Sequence, residues 1–168
     1  MRRVPLTIAA VALVALLAGI PGATAQAPSG RTLSLFESNR GSTFKFIDTP
    51  PRSRSQNPES RRFRFSVGDS IQFSNPVFDR RGGTRLGTVF GRLTVVRGTT
   101  FANITFFVDA TVLLGNDDQI VAGGLFQPAR QTAPIPIVGG AGAYEGARGS
   151  LTSVEVRGGS QDTLHLLP

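Results

Sequence analysis

No cysteine occurs anywhere in the chain, which excludes disulfides, thiolate nucleophiles and zinc sites built on Cys. Stability must then come from burial and strand pairing. Tryptophan is also absent, and Tyr144 and His165 are the sole residues of their kinds. One histidine near the C-terminus cannot assemble a multi-histidine metal site, and it is poorly placed for a Ser-His-Asp triad. Asp117-Asp118 lacks the spacing of an EF-hand loop and reads as a turn. Beyond the N-terminal segment there is no second long apolar run and no amphipathic helical window. Lys45 is the only lysine, so the positive charge is almost entirely arginine.

The N-terminus has the organisation of a secretory signal peptide. Met1-Arg2-Arg3 is a positive start, Leu6 to Ile20 is apolar, Pro21-Gly22 breaks the run, and Ala23-Thr24-Ala25 is a small-residue cleavage site. The run is short for a membrane span, which needs roughly 20 apolar residues. The expected organisation is a signal peptide over 1–25, a linker over 26–31 and one domain over 32–168, released outside the cytoplasm or into a periplasm. The formal charge of +7 becomes +5 once Arg2 and Arg3 leave with the signal peptide. The arginines are scattered, so they read as a solvated exterior. Neither nucleic acid nor, after cleavage, a membrane is an expected partner.

The remainder reads as strands separated by turns. Ser70 to Phe78 carries Ile71, Phe73 and Val77 on one parity, Arg80 to Gly83 turns, and Leu86 to Val96 resumes the β pattern. Thr32 to Ser38 is a first strand, Asn39 to Ser42 a turn, and Thr43 to Ile47 continues beyond it. Asp48 to Ser60 is a Pro/Arg-rich loop. Arg61 to Val67 alternates as a half-buried strand. Thr100 to Leu114 is the longest strand, and parity alone does not say which of its faces is inside. Gln119 to Phe126, Ser150 to Arg157 and Thr163 to Leu167 follow, with Gln127 to Pro136 as a loop. About eight antiparallel strands with short turns make an all-β closed barrel or a sandwich, and closure removes exposed edges. Asn75 is an amide in an apolar strand, ahead of Pro76. It is either a strand-end turn residue or a lumen-facing donor and acceptor.

Three patterns together resemble the allene oxide cyclase and dirigent barrel families. They are Gly68-Asp69 followed by Phe73-Ser74-Asn75, the strand Gly87 to Val96, and the glycine-rich run Gly139-Gly140-Ala141-Gly142-Ala143-Tyr144-Glu145-Gly146-Ala147-Arg148-Gly149. The resemblance extends from about Leu33 to the C-terminus and implies an eight-stranded antiparallel barrel, a cavity in its mouth and a homotrimer. The glycine run is not a phosphate loop, because no helix follows it; its expected role is tight turning and close strand approach.

The resemblance also implies a site. Glu37, Asn39 and Asn75 match the family's cavity carboxylate and two amides, and are the candidate catalytic residues. Thr43 and Leu93 stand where the family has a proline and a cysteine. Phe126 and Ala133 replace the acid and arginine of dirigent proteins, which argues against their radical-coupling control. A carboxylate such as Glu37 in an apolar pocket can stabilise a developing cation or move a proton, and two amides can hold a water or an oxygen. The expected function is a cofactor-independent cyclase or isomerase of a small apolar substrate, with no metal. The alternative is a non-catalytic exported barrel that binds an apolar ligand or a protein partner. Asp109 and Glu155 are possible second acids whose direction the sequence leaves open.

Overall fold

The computed structural model describes residues 30–53, 63–130 and 134–168. The expected signal peptide, most of the linker and the second half of the Pro/Arg-rich loop lie outside the described residues. Nine antiparallel strands follow in order: β1 Arg31–Ser38, β2 Thr43–Ile47, β3 Ser70–Phe78, β4 Arg85–Arg97, β5 Thr105–Leu114, β6 Gln119–Phe126, β7 Ile135–Ala141, β8 Gly149–Val156 and β9 Gly159–Leu166. Their order in the sheet is β1-β9-β8-β7-β6-β5-β4-β3-β2, and β1 also pairs β3. That last pairing closes eight strands into a barrel and leaves β2 as an extra strand.

The closure explains why β1 and β2 both exist. Both run antiparallel to β3, with Glu37 opposite Val77 and Thr43 opposite Ser74. They are one interrupted strand, and the turn between them bulges out opposite Asn75-Pro76. Pro76 has no N–H to give a neighbour, so a ladder is least continuous there. The turn is held by Ser38, whose Oγ accepts the Arg40 N–H at 3.1 Å and whose carbonyl accepts the Ser42 hydroxyl at 2.9 Å.

Alternation settles which faces look inward. On β5, Phe106, Val108, Ala110 and Val112 are buried while Phe107 and Asp109 are exposed. Asp109 is therefore outside, paired with Arg92 at 3.2 Å. Leu35, Val77, Val89, Ile120, Ile137 and Leu164 join the same core from the other strands. Register shifts in β3–β4, β4–β5 and β6–β7 bend the sheet as closure requires.

Several expected boundaries move. Phe63 to Ser66 lies outside the sheet, because its backbone N–H groups go to scattered partners such as the Thr99 carbonyl and the Ser53 and Asp69 side chains rather than to a ladder. Phe63 and Phe65 are buried beside Val95, Ile104 and Phe106, whereas Val67 sits exposed in a turn. Thr100 to Asn103 is not strand either. The Asn103 carboxamide oxygen takes the Thr99 and Thr100 N–H groups at 3.0 and 2.9 Å, and this local bonding competes with the ladder. β1 begins at Arg31, one residue inside the expected linker. β7 begins at Ile135, inside the expected loop, and β9 begins at Gly159, earlier than expected.

The Gly-Asp pair has a structural role. Asp69 is fully buried and its carboxylate accepts four hydrogen bonds: the Thr49 N–H and hydroxyl at 2.8 and 2.9 Å, and the Ser66 N–H and hydroxyl at 2.8 and 3.0 Å. It ties the two limbs of the long loop to the end of β4, where Val95 N–H reaches the Asp69 carbonyl at 2.8 Å. In the glycine run, Gly139 to Ala141 ends β7 and a single 3₁₀ turn follows over Gly142–Tyr144. A side chain at Gly140 would collide with the Tyr144 and Gln119 carbonyl oxygens, so glycine there permits the close approach.

Candidate active site

The barrel encloses a hollow of about 590 Å³, within the usual range for small-molecule sites. Its walls are apolar, formed by inward residues such as Val89, Leu93, Val108, Ile120 and Leu151. Its polar groups gather where the β1–β2 turn meets the β8–β9 hairpin.

Glu37 stands at the centre of that polar end because of barrel closure. β1 lies between β3 and β9, with Glu37 opposite Val77 on one side and Ser160 on the other. Residues diagonal across a ladder on the same face remain within reach of long side chains. Asn75 on β3 and Asp162 on β9 are those diagonal neighbours. The Asn75 amide Nδ2 donates to Glu37 Oε1. Asp162 is buried, and its Oδ1 accepts the Ser153 hydroxyl at 2.6 Å and the Ser160 hydroxyl at 3.1 Å.

The environment decides the protonation of Glu37. Burial is the largest effect and disfavours its charge, and the Asp162 carboxylate adds repulsion. A hydrogen bond with Asp162 raises the pKa further, while the Asn75 bond opposes the shift. The net result lifts Glu37 from 4.5 to about 8. At neutral pH most of it is a neutral acid that can donate a proton or a hydrogen bond.

The three residues expected from the sequence are thus divided. Glu37 and Asn75 are in direct contact inside the hollow. Asn39 lines the same hollow but lies at its exposed rim, and its backbone N–H bonds the Gly158 carbonyl at 3.0 Å. Had β1 simply continued, Asn39 would share the inward parity of Glu37; the turn at Ser38 to Ser42 carries it outward. Glu155 also lines the rim and is exposed. Asp162, Ser153 and Ser160 were missed. A strand extended back from Leu166 and Leu164 places Asp162 and Ser160 on the same inward parity, and that was the available signal. Tyr144 lies outside this hollow, half-buried in its turn with Arg31 over its ring at 5.5 Å. His165 is exposed beside the Thr32 hydroxyl. Among the described residues no three His, Asp or Glu side chains form a group suited to holding a metal ion.

The family model described as the allene oxide cyclase barrel like domain matches residues 53–164. The chain belongs to that family. Asn75, Ser153, Ser160 and Asp162 fall inside the matched residues, and Glu37 precedes them. Among solved structures, a pyocyanin demethylase superposes with a TM-score of 0.63 at 22% identity, covering 81% of this chain and 99% of that one. A pterocarpan synthase dirigent protein superposes with a TM-score of 0.56 at 13% identity, covering 82% and 84%. At these identities the likeness concerns the barrel itself. No curated protein matches the sequence.

Proposed function

We propose that this allene oxide cyclase-like barrel is a cofactor-independent isomerase or cyclase of a small apolar molecule held in the hollow, with Glu37 as its proton donor. The observation that carries the reading is the half-buried Glu37, in contact with Asn75 and next to the buried Asp162, at the polar end of an otherwise apolar cavity. A neutral carboxylic acid there can protonate, or hydrogen-bond to, an oxygen of the substrate. Asp162, steadied by Ser153 and Ser160, supplies an adjacent carboxylate to take up a proton. An acid and a base side by side serve a proton shift or a ring closure that neither consumes nor produces an electron. Asn75 orients Glu37, and Asn39 at the rim can bond a polar group entering the mouth. The apolar walls hold a flexible substrate in a reactive conformer. The two neighbouring barrels are both named for reactions on small organic molecules, in keeping with this reading.

The same cavity would also serve a barrel that only binds, so the test must read turnover. The mature protein is incubated in D₂O with a panel of apolar epoxides, enones and phenols, and rearranged or deuterated product is followed by mass spectrometry. Glu37→Gln keeps the shape and removes the proton; it should lower turnover by about 10²–10⁴-fold while ligand binding persists. Equal turnover by the variant would remove Glu37 from the chemistry.

We also propose that the barrel acts after export, with Gln26 as its first residue, which N-terminal mass spectrometry of the exported protein checks. A homotrimer is proposed with it. Support comes from the exposed Phe90, Phe107, Leu125 and Val138 on the outer faces of β4 to β7, with Phe107 directly opposite Leu125. Light scattering reads the mass.

A further inference from the structure

The exterior and the hollow differ in the sign of their charge. The chain carries 18 Lys and Arg against 11 Asp and Glu, so a random sample of its charged side chains would be mostly basic. Yet every charged residue among the described residues lining the hollow is acidic: Glu37, Asp162 and, at the rim, Glu155. Arg92, on the strand that supplies Val89 and Leu93 to the wall, projects outward to Asp109. The rim itself is partly oily, since Phe44 is 64% and Val156 42% exposed where they border the mouth.

An anionic ligand entering this space loses its water and gains no cation in return. It meets Asp162, whose Oδ1 is already engaged by two hydroxyls, and Glu37, whose Oε1 already accepts the Asn75 amide. Like charges a few ångströms apart in a desolvated pocket repel strongly, and burying an unpaired charge is itself costly. A neutral molecule avoids both effects, and an ammonium or a heteroaromatic cation pairs with the acids.

We propose that the cavity selects its ligands by charge, accepting neutral or cationic apolar molecules and rejecting carboxylates and other anions. The proposal rests on the reading of the hollow as the substrate site, and narrows it. It makes Asp162, beside Glu37, the specificity-determining residue, whatever bond is later made or broken.

Three probes of nearly equal shape test it: 2-naphthylethanol, 2-naphthylethylamine and 2-naphthylacetate, titrated into the mature protein at pH 7 and followed by calorimetry. The alcohol and the amine should bind, and the carboxylate should bind more weakly by about tenfold or more. Asp162→Asn should shrink the gap between amine and carboxylate. Glu37→Gln, also isosteric, keeps the Asp162 charge and should leave the gap in place; loss of the gap in that variant would overturn the assignment of selection to Asp162. Ala110→Leu, which thickens the wall, should weaken all three probes alike. Carboxylate binding as tight as that of the alcohol, with an unchanged response to Ala110→Leu, would overturn charge selection and leave the ligand site intact. Absence of binding by all three, or indifference to Ala110→Leu, would overturn the ligand-site reading itself.

Discussion

The two ends of the barrel interior are built on opposite plans. Where β4 ends and β5 begins, aromatic rings fill the space. Phe63 and Phe65 arrive from outside the sheet and meet Phe46 and Phe106 edge to face, with centroids between 4.8 and 6.1 Å apart. Where β1 meets β9, the interior is left open and its few polar groups face one another across β1. Filling lowers free energy through burial and dispersion. A half-buried carboxyl held beside the buried Asp162 raises it. The packed and the polar parts of this interior are therefore separate, and burial at one end can offset the cost of the other.

Changes at the packed end should therefore act on stability alone. Phe106→Ala removes a ring that is 1% exposed and should cost about 3–5 kcal/mol, read by urea denaturation. Probe affinity at a temperature where the variant remains folded should be unchanged. A large loss of affinity there would break the separation.

Asp69→Ala comes next. It strands the Thr49 and Ser66 N–H groups that the carboxylate now accepts and should cost about 2–4 kcal/mol, since unsatisfied buried donors are penalised individually. Proteolysis should then begin within the loop between Thr49 and Ser66. Cleavage elsewhere would assign Asp69 another role.

At the polar end the expected signature is pH dependence. Because the folded-state pKa of Glu37 is raised, from 4.5 to about 8, the folded protein binds more protons than the unfolded chain between those values. Its contribution favours folding most below 4.5 and is lost as pH rises towards 8. Thermal melts should fall in Tm over that window for the parent protein and fall less for Glu37→Gln. Parallel curves would show that Glu37 is not held neutral in the fold.

The smallest effect belongs to the outer wall. Arg92 and Asp109 form an ion pair with both side chains about half exposed, and exposed pairs contribute roughly 0–1 kcal/mol. A double-mutant cycle with Arg92→Ala and Asp109→Ala should return a coupling in that range, falling further in high salt. A larger coupling would make the outer face a contributor to stability rather than a solvated surface.

Much of this was legible because strand alternation is local. Ser70–Phe78 reads directly from the spacing of Ile71, Phe73 and Val77, and the parity of Asn75 with them was visible. The segment around Phe63 and Phe65 alternates like a strand, but alternation reports which side chains are buried, not whether a ladder buries them. Asp162 escaped for another reason. Gly158-Gly159-Ser160 has turn composition, and the strand was read as starting after it, whereas hairpin pairing with β8 extends β9 back to Gly159.

The sequence by itself determined an all-β chain, the two alternating faces of strands such as Ser70–Phe78 and the oily character of one of them, since each follows from period-2 spacing within one segment. It also carried the Glu37 and Asn75 candidates, through resemblance. Only the tertiary structure decided that Glu37 has Asn75 on one side and Asp162 on the other, that Asn39 turns out to the rim, and which end is filled with rings. Those outcomes depend on how β1 closes against both β3 and β9. Registers between strands more than a hundred residues apart are fixed by the whole barrel, not by any one stretch of it.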